Sequence, residues 1–104
     1  MEKARPHYPL SQVLAAMTTV DSMCLTVSAR RGIRQVGMTE DDALNVIQAL
    51  TRRHFYKSMT TYADHRVWQD VYHSEWDGIP LYIKFQKSEQ YFVVSFKEKE
   101  EEAL

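Results

Sequence analysis

Residues 81–97 read LYIKFQKSEQYFVVSFK, and their pattern decides the fold of the second half of the chain. Apolar and polar side chains alternate along 81–86 and again along 91–97, which is typical of two half-buried β-strands. The polar letters KSEQ join the two stretches. Pairing Gln86 with Tyr91 makes one face of this antiparallel hairpin wholly apolar, and an apolar face of this kind determines a register.

The preceding strand joins the hairpin through the Asp-Gly dipeptide at positions 77–78, a two-residue turn signal. This turn places His73 opposite Tyr82 and brings Gln69 to the polar face that carries Tyr82 and Lys97. The same register puts Asp70 on the apolar face. A bulge or a longer loop just before the turn is therefore an alternative.

The first half of the chain has helical patterns. Apolar residues recur at helical spacing over 10–17, Thr26 is placed to cap a second helix ended by Gly37, and Thr39 opens a third. Residues 20–25 fit a short strand. The predicted fold is α+β, with three N-terminal helices packed on a mostly antiparallel twisted sheet formed chiefly by the C-terminal half.

Composition sets further bounds. The 104 residues, 44% of them hydrophobic, fit a single domain over 1–104, with about 99–104 as a flexible acidic tail. There is no apolar run of about 18 residues and no signal-peptide core near the N-terminus, so neither a membrane span nor secretion is predicted. Cys24 is the single cysteine, which fits a reducing cytoplasm.

The net charge of −1 conceals an asymmetry. Residues 1–97 hold 12 of the 13 Lys and Arg but 10 of the 14 Asp and Glu, so this part of the chain has a charge of +2. Basic residues cluster at 30–34 and at 52–57, which makes a local anion-binding patch plausible. The alternative is that the cations only favour the C-terminal turns of helices.

Residues 55–72 read FYKSMTTYADHRVWQDVY, a mixture of cations, amides and aromatic rings. This composition suits an RNA ligand, because RNA offers phosphates to cations and bases to aromatic rings. A solvated strand-loop-strand surface remains the alternative.

The predicted pairing brings Tyr82, Lys97 and Gln69 to one sheet face, and Lys57 arrives from the strand upstream. The four histidines lack metal-ligand spacing, and no Ser-His-Asp signature is present, so no metal or other cofactor is predicted. The set suits metal-free RNA cleavage, in which lysines stabilise phosphate charge, glutamine orients the substrate and tyrosine transfers a proton. A tyrosine between two cations is expected to have a lowered pKa. The alternative is that these residues are only surface-covering side chains.

Three long motifs carry a family resemblance: HFYKSMTTY at 54–62, WQDVY at 68–72 and VSFKEK at 94–99. With them, nearly the whole chain resembles the MqsR toxins of type II toxin–antitoxin systems. The resemblance implies a RelE-like fold, a cytoplasmic endoribonuclease that cuts mRNA at short GC-containing motifs, and a cognate antitoxin partner in a toxin–antitoxin hetero-oligomer. It also implies that the active-site positions are those of four residues, Lys57, Gln69, Tyr82 and Lys97.

Further residues are expected to bind substrate. Tyr56 and Tyr62 are available to stack on bases. His73 stands where the family often carries arginine, and arginine would bind phosphate more firmly. Strand pairing at 20–25 is one way in which an antitoxin could bind. The alternative to an enzyme is a non-catalytic RNA-binding or antitoxin-interaction module of the same fold.

Overall fold

The computed structural model describes residues 1–100. Most of the predicted acidic tail therefore lies outside the described residues. Within 1–100, no helix has the length and apolar content needed to cross a membrane. The elements in chain order are β1 (Glu2–Lys3), α1 (Leu10–Ala16), a 3-10 turn (Asp21–Met23), α2 (Val27–Gln35), α3 (Glu40–Gln48), a second 3-10 turn (Arg52–His54), β2 (Phe55–Thr60), β3 (Trp68–Trp76), β4 (Ile79–Lys87) and β5 (Tyr91–Glu98).

The five strands form one sheet in the order β1-β2-β3-β4-β5, and each neighbouring pair is antiparallel. The helices pack on one face and bury a core of aliphatic, methionine and aromatic side chains. The α+β prediction is confirmed, while the finer RelE-like assignment stays a prediction. The two-residue strand β1 was not predicted. It pairs with β2, and next to this pairing the amide of Thr60 donates a hydrogen bond to the carbonyl of Met1 at 2.9 Å.

Local turn chemistry explains the β3–β4 hairpin. Asp77 and Gly78 have φ angles of 50° and 78°, the left-handed pair that a type I′ turn needs. The turn places His73 opposite Tyr82 and Gln69 opposite Gln86, so the predicted register is confirmed.

The misfit at Asp70 is resolved without a bulge in β3 before the turn. Asp70 lies on the core face and is 1% exposed. Its carboxylate accepts hydrogen bonds from the amide of His7 at 3.0 Å, the amide of Tyr8 at 2.8 Å and the hydroxyl of Ser58 at 2.6 Å. A buried polar group is tolerated when it is hydrogen-bonded in this way. Asp70 therefore anchors the N-terminal segment to the sheet.

The predicted register of the β4–β5 hairpin is wrong. Lys84 pairs with Ser95 but Phe85 pairs with Val93, which leaves Val94 as the extra residue of a β-bulge. The bulge reverses the alternation along β5. As a result Tyr91 and Val93 face the core on one side of the bulge, and Phe96 does so on the other.

The predicted strand at residues 20–25 is also wrong, because this segment contains a 3-10 turn. Ser22 and Thr19 exchange local hydrogen bonds: each amide donates to the other residue's hydroxyl, at 2.9 and 3.1 Å. Such side-chain contacts compete with strand pairing. The 3-10 turn ends at Cys24, whose φ of 49° is left-handed rather than extended. Residues 20–25 therefore offer no edge strand to an antitoxin.

The predicted helix signals are confirmed. The hydroxyl of Thr26 accepts from the amide of Ala29 at the start of α2, and Gly37, with a φ of 83°, follows the end of that helix. Thr39 and Asp42 form a reciprocal capping box at the start of α3. These caps determine where the helices begin and hence which faces they bury.

Tyr72 gives a test of the core. Its side chain is 1% exposed and packs between Phe55 and Phe85, but its hydroxyl has no hydrogen-bond partner within residues 1–100. Burial, with a further contribution from Asp70, raises the pKa of the Tyr72 hydroxyl to about 12. We expect Tyr72→Phe to raise the free energy of unfolding by about 1 kcal/mol, because it removes an unsatisfied polar atom. Urea denaturation of both proteins would measure this, and a clear loss of stability would contradict it.

Candidate active site

The sheet face turned away from the helices carries the predicted site. Strand pairing aligns His73, Tyr82 and Lys97 in one row across β3, β4 and β5. Gln69 lies on the same face of β3, two positions before Val71, and Val71 is paired with Lys57 on β2. The structure therefore brings Lys57, Gln69, Tyr82 and Lys97 to one face of the sheet.

The β5 bulge makes Lys97 the direct partner of Tyr82 rather than its diagonal neighbour. The Nζ atom of Lys97 lies 5.3 Å from the centre of the Tyr82 ring. Burial raises the pKa of Tyr82, and the nearby Tyr56 raises it further. The expectation of a lowered pKa is wrong, because the partly buried phenol loses hydration. Tyr82 therefore keeps its proton at neutral pH and is suited to donate it.

Lys57 is held by an acid from the N-terminal strand. Its Nζ atom lies 3.5 Å from a carboxylate oxygen of Glu2 and 5.5 Å from the centre of the Tyr56 ring. The Lys57 side chain is 30% exposed and that of Glu2 is 63% exposed. Such an exposed ion pair is weak, so a phosphate can replace Glu2 as the partner of Lys57.

Gln69 has its orientation set by a second amide. Its Nε2 atom donates to Oε1 of Gln86 at 2.8 Å. This leaves the Gln69 carbonyl oxygen and one N–H group for a ligand. Gln86 was not among the predicted site residues, although the alternation along β4 had placed it on this face.

The predicted base-binding residues separate into two groups. Tyr56 stacks on His73, with ring centres 4.2 Å apart, and His73 lies 6.0 Å from the Tyr82 ring. Burial and the charge of Lys99 lower the pKa of His73, so its imidazole is neutral at pH 7. Tyr62 is fully exposed in the loop between β2 and β3, outside this stack.

The prediction omitted one further cation, Lys84, which lies on this face of β4 between Tyr82 and Gln86. Lys84 lies two positions after Tyr82 on the same strand, and this spacing alone indicated that the two side chains share a face. Metal ligands are not grouped in the same way: within residues 1–100, no three His, Cys, Asp or Glu side chains are placed to hold one ion.

Two comparisons place the chain among known proteins. The model of the family described as "Motility quorum-sensing regulator, toxin of MqsA" matches residues 5–98. The chain is also 41% identical over 99 residues to the mRNA interferase toxin MqsR of Escherichia coli strain K12, an alignment that covers 95% of this chain and 100% of that protein. These matches confirm the resemblance seen in the motifs: the chain belongs to the MqsR toxin family.

Proposed function

We propose that this protein is the toxin of a type II toxin–antitoxin system and acts as an endoribonuclease on mRNA, which inhibits translation and growth. The observation that carries the proposal is the convergence of Lys57, Gln69, Tyr82 and Lys97 on one open sheet face. The similarity to an mRNA interferase toxin supports it independently.

The reaction is a transesterification. The ribose 2′-oxygen attacks the neighbouring phosphorus and loses its proton to solvent, while the bond from phosphorus to the 5′-oxygen breaks and that oxygen takes a proton from Tyr82. Tyr82 then regains a proton from solvent. The products are a 2′,3′-cyclic phosphate and a 5′-hydroxyl end. The reaction consumes no water, and it is accelerated by stabilisation of the charge on the phosphate oxygens and by proton transfer to the leaving oxygen.

The geometry supports a role for each residue. Lys57 and Lys97 stabilise the negative charge that develops on the phosphate oxygens. Tyr82, which keeps its proton, donates it to the leaving 5′-oxygen. Gln69, oriented by Gln86, holds the ribose or the phosphate by hydrogen bonds. The stacked Tyr56 and His73 offer an aromatic surface to a neighbouring base.

The direct test is incubation of the purified protein with a mixed-sequence RNA in EDTA, followed by mapping of the product ends. We expect discrete cuts with cyclic-phosphate ends at short GC-containing motifs. Lys97→Ala should lower the cleavage rate by about 10²- to 10³-fold, because it removes a charge from the transition state. Lys87→Ala, a lysine change on the opposite face of β4, is the matched control and should cleave normally.

Intact RNA in the presence of folded protein would contradict unaided cleavage, and the assay would then be repeated with translating ribosomes. Intact mRNA there as well would favour the non-catalytic RNA-binding or antitoxin-interaction module.

The raised pKa of Tyr82 gives a pH test. A proton donor is active only while protonated, and the pKa of Tyr82 lies above the ordinary value of 10.0. We therefore expect no loss of cleavage rate between about pH 7 and pH 9 from this group. Rate measurements across this range should show that Tyr82→Phe lowers the rate by about 10²-fold at every pH. A wild-type rate that decreases as the pH rises from 7 to 9 would contradict the assignment if Tyr82→Phe shows no such decrease.

The proposal includes a protein partner. We expect a cognate antitoxin to form a hetero-oligomer with the toxin in the cytoplasm. Induction of the toxin alone should arrest growth, whereas co-expression of the antitoxin should restore it. Restored growth without a complex that copurifies with the toxin would contradict direct binding.

A further inference from the structure

Lys84 lies at the centre of the open face. Its strand β4 has a neighbour on each side, and Lys84 pairs with Val71 on β3 and with Ser95 on β5. Tyr82 and Gln86 flank it along the strand and point to the same face. Its Nζ atom lies 6.0 Å from the centre of the Tyr82 ring. The residues assigned to cleavage therefore surround Lys84.

The charge of Lys84 has no partner in the part of the chain that the structure describes. Its side chain is half-buried, yet no carboxylate within residues 1–100 lies within 4.0 Å of its Nζ atom. Lys57, by contrast, has Glu2 at 3.5 Å. Burial lowers the pKa of Lys84, and the positive charge of Lys97 lowers it further. Partial burial of a cation without an anion disfavours the folded state.

The fold explains the aliphatic stem of Lys84 but not its ammonium group. Val71, its partner on β3, is fully buried although it is on the open face, so neighbouring side chains must cover it. A lysine stem can do this, but so can methionine without the cost of a charge. A ligand that brings negative charge to this face would account for the ammonium group.

We propose that Lys84 is a further catalytic residue, whose ammonium group donates a hydrogen bond to a non-bridging oxygen of the phosphodiester being cleaved. This inference rests on the proposed function, since the anion it requires is an RNA phosphate between Tyr82 and Lys97. Lys84 stabilises the charge of the pentacoordinate phosphorus and transfers no proton. The bonds made and broken are unchanged.

The test compares Lys84→Met with Lys87→Met in the RNA cleavage assay, with thermal unfolding measured in parallel. Methionine keeps an unbranched stem over Val71 and removes only the charge. We expect Lys84→Met to lower kcat by about 100-fold or more with a smaller change in KM, because the contact strengthens in the transition state. Lys87→Met should behave as the wild type.

Stability distinguishes this role from a structural one. The folded-state pKa of Lys84 lies below the unfolded value of 10.5. The charged group therefore disfavours the folded state wherever it is protonated, including at pH 7. Removing the charge should therefore leave Tm at pH 7 unchanged or higher while activity is lost. A lower Tm together with lost activity would show that Lys84 is structural and overturn the assignment.

Lys84→Arg, which keeps the charge, should retain more activity than Lys84→Met. Equal losses in the two variants would overturn a role in phosphate binding. Cleavage by Lys84→Met within about threefold of the wild-type rate would overturn the assignment of Lys84 alone. RNA that the wild-type protein leaves intact both alone and with translating ribosomes would instead overturn the proposed function, and the catalytic role of Lys84 with it.

Discussion

Asp70→Ala is expected to lower the free energy of unfolding by about 4 kcal/mol, because it leaves several buried polar groups without partners. The carboxylate accepts from the amides of His7 and Tyr8 and from the hydroxyl of Ser58, and Ser58 is itself fully buried. Alanine would satisfy none of these donors. Urea denaturation gives the change, and Asp64→Ala, at a partly exposed aspartate whose carboxylate bonds only to Arg66 nearby in the loop, is the matched control and should have a much smaller effect.

The same substitution should reduce cleavage, because Asp70 lies behind the site. Ser58 follows Lys57 on β2, and Asp70 follows Gln69 on β3, so their 2.6 Å hydrogen bond holds these two site residues on paired strands. We expect cleavage to fall by about 10²-fold under conditions where the variant is still folded. Asp70→Asn keeps one acceptor oxygen and should be intermediate in both measurements. Full stability in Asp70→Ala would show that water replaces the carboxylate.

The two hairpins show which parts of the fold can be predicted from sequence. In β3–β4 the register follows from a two-residue turn, whose left-handed φ angles favour Asp and Gly. In β4–β5 the letters YFVVSF offer apolar side chains in two successive registers, so alternation alone does not decide between them. Packing against the helices selects Tyr91, Val93 and Phe96, and a bulge at Val94 makes this selection possible.

Strand alternation was enough to predict which site residues share a face of the sheet. Gln69, Tyr82 and Lys97 come together on adjacent strands of two hairpins, and Lys57 belongs to the next strand along the sheet. The ion pair between Lys57 and Glu2 was not predictable, because Glu2 lies on a strand of two residues, which is too short to show a strand pattern in the sequence.

The direction of the Tyr82 pKa shift could not be predicted from the sequence either. Neighbouring cations lower the pKa of a phenol, whereas burial raises it, and the sequence shows the cations but not the burial. In the structure burial and the neighbouring Tyr56 both raise the pKa of Tyr82. The change matters for mechanism, because it makes Tyr82 a proton donor at neutral pH.

Gly32→Ala is expected to destabilise the protein by about 3 kcal/mol, although alanine favours a helix over glycine by about 1 kcal/mol. Gly32 lies in α2 where the helix meets β5. A Cβ atom added there would lie 1.9 Å from the backbone oxygen of Phe96 and 3.2 Å from Cβ of Lys97. The contact is with backbone, so a side-chain rotation cannot relieve it, and the helix and strand must move apart by about 1 Å.

This displacement reaches the site because the strand that moves carries Lys97. A shift of about 1 Å in a catalytic group lowers rates by about 10²-fold, so we expect Gly32→Ala to lose cleavage even where it remains folded. Urea denaturation and the RNA assay would measure the two effects. Ser28→Ala, on the exposed side of α2, makes a smaller gain in helix preference without the clash and should be neutral or slightly stabilising. A Gly32→Ala protein as stable as Ser28→Ala would show that helix propensity, rather than the close approach of α2 to β5, governs this position.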